Sequence, residues 1–225
     1  MSVPNMFLKD KDEVCFILGP SPKILPSQSY DASNKVNKRV LLKLRECVID
    51  LIENKGKSVF VCSLNLGIDI WSCRLLLKLK EDARYSHIRI VGVIPYGGFG
   101  SRWTPSVKEE YHRILNLLDS FVEVYKLPDY KLSPVTVVED LVEYLEDGTK
   151  RIIVDGDVYD VQPTREDKIK RSVEFLVDVS SCGIIVHVNE FQGSLDCCLY
   201  GSKIGIGDSI LLLNPYSLNI QEGIV

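Results

Sequence analysis

The chain has 225 residues, 45% of them hydrophobic and 26% charged, with a net charge of −4 and an isoelectric point near 5.5. That length suits one large α/β domain with a substantial core, and the apolar content excludes a disordered chain. The acidic balance argues against nucleic acid as a partner, and no apolar run approaches the ~20 residues of a membrane helix.

In chain order, Val14–Leu18 reads as a first strand, followed by the turn Gly19-Pro20-Ser21-Pro22 and a polar, Pro-rich loop. Residues 35–54 carry apolar side chains at Val36, Val40, Leu41, Leu44, Val48, Leu51 and Ile52, a helical spacing that Gly56 closes. Residues 59–61 predict the second strand and 68–79 the second helix. The nearly all-apolar run 88–94 is a third strand, buried on both faces, which Pro95 stops. A mobile loop, Gly97-Gly98-Phe99-Gly100, leads to a helix over 105–118 and a fourth strand over 121–125.

The rhythm then breaks. Residues 135–145 are acidic and helical in pattern, and 139–147 read as a solvated face. Residues 151–161 predict a hairpin about Asp155-Gly156, a strong turn signal between β-rich runs. Alternation resumes with a helix over 165–179, a strand over 183–188, a helix over 194–204 and a last core strand over 209–213. The pattern gives one α/β domain, a three-layer Rossmann-like parallel sheet, with a hairpin-containing insertion at about 127–164.

Seven cysteines occur, with no Cys-x-x-Cys. They are expected as reduced, buried thiols in a cytoplasmic protein. The first twelve residues lack the features of a secretory signal. His87, His112 and His187 are scattered, and His187 is expected as a satisfied core residue within a strand. No metal or cofactor is expected.

In parallel sheets ligands bind beyond the carboxyl ends of the strands. The segments there are 19–22, 63–67, 95–103 and 190–194. Strand, turn and helix at 59–71 make a ready anion site through free N–H groups and the helix dipole. Gly19 and Gly67 permit close backbone approach, and Asn65 tolerates a left-handed conformation. Asp69 is either a ribose or acid/base contact or a carboxylate favoured by the dipole of a first helical turn. Ser63 is a phosphate ligand or a helix cap. Gly193 and Ser194 cradle an anion or form a turn and cap. Arg102 could clamp a phosphate, and Trp103 packs the core in preference to stacking on a base.

The order of these motifs resembles the YpsA-like group of the SLOG superfamily, Rossmann-like proteins that include the LOG-type phosphoribohydrolases and the DNA-processing protein DprA. The resemblance covers most of 13–126 and 166–215. The family's Thr-Gly-His-Arg-Pro turn is here Leu18-Gly19-Pro20-Ser21-Pro22, without the His and Arg. Its Ser-Gly-Gly-Ala-x-Gly-x-Asp-x-Trp is Ser63-Leu64-Asn65-Leu66-Gly67-Ile68-Asp69-Ile70-Trp71, which keeps only the later half. Pro95, Arg102-Trp103 and Tyr111 match, and Gln192-Gly193-Ser194 matches a Gly-Gly-Thr turn in part.

The resemblance implies a nucleotide-derived small molecule as ligand, sensed or sequestered, with catalysis lost and a homo-oligomer left open. Leu64 and Asn65 are expected to carry side chains into the family's phosphate seat. An alternative is a nucleoside-phosphate N-glycosidase working through Asp69 or Asp196, since hydrolytic members place a Glu near the latter position. A third is an interaction module that has abandoned its ligand.

Overall fold

The computed structural model describes residue 8 and residues 10–138, 141–144, 150–153 and 158–223. The chain runs β1 (Val14–Leu18), α1 (Lys35–Lys55), β2 (Val59–Ser63), α2 (Ile68–Lys80), β3 (Arg89–Ile94), α3 (Pro105–Leu117) and β4 (Ser120–Glu123). Four short strands follow, β5 (Val135–Val138), β6 (Leu141–Tyr144), β7 (Lys150–Ile153) and β8 (Val158–Val161). The last part holds α4 (Arg165–Asp178), β9 (Cys182–Val186), α5 (Gln192–Ile204), β10 (Ile210–Leu213) and β11 (Ile220–Glu222).

Seven strands form one sheet in the order β11-β10-β9-β1-β2-β3-β4, parallel throughout except for β11 at one edge. All residues of β1, β2 and β9 are buried, because helices cover both faces and leave no solvated side. Alternation along β1 divides the core. Cys15 and Ile17 pack with Val40, Leu44, Leu76 and Ile114 of α1, α2 and α3. Phe16 and Leu18 pack with Val173, Leu176 and Cys197 of α4 and α5. The result is the expected three-layer Rossmann-like architecture. Gly183 lies level with Phe16 on the neighbouring strand, and a Cβ there would fall 2.0 Å from the ring. All seven cysteines are free and buried.

Local chemistry sets the helix ends. Asn34 caps α1 by accepting from the Val36 N–H at 2.9 Å, and Gly56 ends it at φ +64°. Thr164 and Asp167 form a reciprocal capping box at the start of α4. No helix among the described residues is long and apolar enough to cross a membrane.

The segment between β4 and α4 differs from expectation. Residues 135–138 and 141–144 are strands, not a helix. They pair antiparallel with β8 and β7, Val138 with Val158 and Val142 with Ile152. The β-branched run Val-Thr-Val-Val outweighs the helical spacing. Thus β7 and β8 do not pair with each other as a hairpin; they lie in succession on one arm. Asp155-Gly156 and most of the acidic run 139–147 lie outside the described residues.

The Asp178 carboxylate joins three elements. It accepts from Tyr130 Oη at 2.6 Å and from Tyr200 Oη at 2.9 Å. Burial, then the bond to Asp178, pushes the Tyr200 hydroxyl up to about 12. Asp178→Ala removes the acceptor that both phenols share, and is expected to cost about 2 kcal/mol in urea unfolding. A variant as stable as the parent would contradict this role.

Candidate functional site at the carboxyl edge of the sheet

Connectivity sets the place. From β1 the chain steps outward through β2, β3 and β4, then returns to the other side of β1 for β9 and β10. The segments leaving β1 and β9 therefore diverge, and the carboxyl ends of these strands are where sheets of this kind place their ligands.

The turn after β2 is built around one carboxyl group. Gly19 N–H donates to Asp69 Oδ1 at 2.7 Å. Asn65 Nδ2 donates to Asp69 Oδ2 at 3.2 Å and to Ser63 Oγ at 2.7 Å. Ser63 also hydrogen bonds Asp69, which is 0% exposed. Burial pushes the Asp69 carboxyl up to about 8, against the pull of its bonds from Asn65, Gly19 and Ser63. At neutral pH the group is therefore held mainly as the neutral acid. Four of the expected site residues, Gly19, Ser63, Asn65 and Asp69, are thus brought together, but they bond one another.

Backbone geometry tightens this turn. Gly67 sits at φ +105°, and a Cβ on it would fall 2.6 Å from the Pro20 carbonyl oxygen. Gly19 approaches α2 as closely: its Cβ would lie 2.3 Å from Ile68 Cγ2. At the start of α2 the Ile68 N–H donates to Pro20 O at 3.3 Å and the Ile70 N–H to Asn65 O at 3.2 Å. These first-turn donors point at the chain's own carbonyls. The N-cap residue of α2 is Gly67, so Ser63 is not its cap.

Leu64 departs from expectation. It is fully buried in the core facing α1, α2 and α3, with a methyl 3.0 Å from where a Cβ of Gly92 would lie. The apolar chain takes the space over this glycine of β3, and of the two side chains it is Asn65 that joins the cluster around Asp69.

Beyond β9 lies the first turn of α5. Ser194 is inside the helix, with Phe191 at the N-cap, so it is not a cap. Its buried hydroxyl pairs with His187 Nδ1 at 2.7 Å. Gly193 lies against the Phe191 ring. His187 follows β9 instead of lying within it and is half-buried, so the expectation of a strand histidine in the core is corrected by one position. Asp196 points elsewhere. Gln192 Nε2 donates to it at 3.1 Å, and Lys170 Nζ of α4 lies 3.9 Å away. It belongs to the α4–α5 layer, on the opposite side of the sheet from Asp69 on α2.

The loop after β3 carries an aromatic ladder. Trp103 is half-buried, with its ring 5.2 Å from Phe99 and 5.4 Å from Tyr111, both edge-on. It packs the loop, as expected. Arg102 beside it is exposed. A second cation stands at this edge that sequence reasoning missed. Arg165, the first residue of α4, donates to Tyr96 Oη at 2.7 Å, and its Cζ lies 5.5 Å from that ring's centroid. The separation of 69 positions hides the pair; only a Thr-x-x-Asp capping box just before α4 hinted at where the helix begins. No cluster of His, Cys, Asp or Glu among the described residues could hold a metal ion.

Comparisons with known proteins agree with this architecture. The family model YpsA, described as the YspA SLOG family, matches residues 29–136. The SPbeta prophage-derived protein YoqJ of Bacillus subtilis is 24% identical over 173 residues, 77% of this chain and 86% of that protein. A UPF0398 protein of Lactobacillus delbrueckii subsp. bulgaricus is 27% identical over 85 residues, 38% of this chain and 44% of its own length. UPF0398 protein BH1768 of Halalkalibacterium halodurans is 30% identical over 81 residues, 36% of this chain and 41% of its own. The last two matches thus span under half of those relatives. The match over 29–136, the similarity to YoqJ and the mostly parallel seven-stranded sheet together support a YpsA-like member of the SLOG family, at low identity to its relatives.

Proposed function

We propose that the chain binds a nucleotide-derived ligand at the carboxyl edge of the sheet, as a sensor or sequestering protein, and does not hydrolyse it. The observation that carries this reading is the placement of the two candidate carboxylates. Asp69 is sealed under Gly19 and Asn65, and Asp196 faces Lys170. Cleavage of an N-glycosidic bond needs a carboxyl group within reach of the reacting atoms. Binding needs only donors and a platform. Gly193 and Ser194 in the first turn of α5, with Arg102 on the loop after β3 and Arg165 at the start of α4, supply positive potential at this edge.

Mass spectrometry of small molecules released by denaturing the purified protein tests the reading. A nucleotide is expected among them, and incubation with nucleoside monophosphates is expected to liberate no free base. Base release that Asp196→Asn abolishes would instead mark a phosphoribohydrolase. One observation favours a different reading: the Gly19 N–H, a natural anion donor, is already taken by Asp69. That fits an interaction module without a ligand, and calorimetry showing no heat with nucleotides, cyclic dinucleotides or cyclic ADP-ribose variants would select it.

A further inference from the structure

A cleft of about 220 Å³ opens between the first turns of α2 and α3, beside Gly67. Its floor is apolar, formed by Ile70 and the edge of Trp71, both 4% exposed. Tyr30, on the loop leaving β1, stands at its rim with 55% of its surface exposed, large for an aromatic residue. Opposite it, Arg74 Nε donates to Glu110 Oε1 at 2.6 Å. Arg113, behind Glu110 and outside the cleft lining, also donates to it at 2.9 and 3.0 Å, so two guanidinium groups share one carboxylate and the charge around this end of the cleft is net positive. The helices α2 and α3 both begin at the carboxyl edge, so the cleft mouth adjoins the turn 63–67.

We infer that this cleft is the seat of a heteroaromatic base, stacked on Tyr30 and read at its edge by Arg74 and Glu110. The inference rests on the nucleotide-binding reading above and adds where the base goes. Size decides against a larger occupant. Clefts that enclose drug-sized ligands run from roughly 300 to 1,000 Å³, and this one is smaller, suited to one planar ring system. Chemistry decides against a purely apolar one. The Arg74–Glu110 pair offers a donor and an acceptor side by side, as the hydrogen-bonding edge of a base requires. The net positive surroundings given by Arg74 and Arg113 about Glu110 favour a base that carries an anionic group, and that group would extend past Gly67 toward the carboxyl edge. An exposed aromatic ring over an apolar floor is how proteins stack bases.

The test compares the parent with Tyr30→Ala, Tyr30→Phe and Arg74→Gln, using calorimetry with the four ribonucleoside monophosphates and mass spectrometry of co-purifying nucleotide. Tyr30 is exposed, so its replacement leaves the core intact. Tyr30→Ala is expected to weaken binding about ten-fold or more, and Tyr30→Phe, which keeps the ring, to bind as the parent does. Arg74→Gln is expected to change which base is preferred. Nucleotide bound equally well by the parent and Tyr30→Ala would overturn the cleft while leaving the edge-binding reading intact. No nucleotide bound or co-purified in any of the proteins would overturn both.

Discussion

Asp69→Asn is expected to fold as the parent does and to lose a pH dependence of stability that the parent shows. The buried carboxyl has its folded value raised from 3.8 to about 8. The folded state therefore holds this proton more tightly than the unfolded chain does. Stability from the group is fully present below 3.8 and drains as pH rises toward 8. The slope across that window is at most about 1.4 kcal/mol per pH unit. Asparagine cannot ionise, so its slope from this site is zero. Its carbonyl still accepts from Gly19, and a rotated Asn65 amide can accept from its NH₂ group. Asp69→Ala removes the acceptor of the buried Gly19 N–H and one of the two acceptors of the Asn65 amide, and empties a buried site, a loss of about 3 kcal/mol. Urea unfolding of the three proteins at several pH values measures all of this. Parallel stability curves for the parent and the Asp69→Asn variant would show that the carboxyl is not a buried acid.

Gly67→Ala is expected to destabilise as strongly and to disturb the same edge. At φ +105° an alanine is strained by roughly 1–3 kcal/mol. Its Cβ would also lie 2.6 Å from the Pro20 oxygen and 2.8 Å from Pro22 Cδ, neither of which is a flexible side-chain tip. Relief requires the β1–α1 loop to lift from α2, which breaks the Ile68 N–H bond to Pro20. The combined loss is about 3 kcal/mol. Gly56→Ala is the control. It shares the left-handed conformation at φ +64° but meets nothing within 4 Å, so it should cost only the conformational part. Equal losses at the two glycines would remove the argument from close approach.

The parts of the fold that were legible are those where local chemistry and tertiary role coincide. The runs at 14–18 and 88–94 are apolar at successive positions because both faces of a parallel strand are covered. Gly56 ends α1 where only a left-handed residue can. The location of Asp69, in the first turn of α2 and beside the carboxyl edge, was also legible. Its state was not, because burial and the Gly19 bond come from a partner 50 positions away. The surroundings of Asp196 were hidden for the same reason: nothing near it in sequence shows that it faces Lys170 on α4. Val135 to Val138 carried two conflicting signals, and pairing with a distant strand decided between them. Tyr30 carries no local motif, and the capping box around Arg165 marks only a helix start. The two residues come to the same edge of the sheet only because loops and helix starts meet there.

The strand order also has a consequence for how the molecule assembles. β1 is central, yet its two neighbours arrive at very different times. Val14 aligns with Val59 on β2, whereas Cys15 aligns with Cys182 on β9. Units β1 to β4 can form from short-range crossovers, but the other flank of β1 stays unpaired until α4 and β9 arrive. That flank is an apolar strand edge open to any passing chain. Docking of β9 is the least local step and therefore the expected slow one. The stranded arm before α4 lies inside this closing loop, where its ~38 residues add only on the order of 0.2 kcal/mol to closure. An arm of that size is tolerated there because the chain is already waiting to make its longest return.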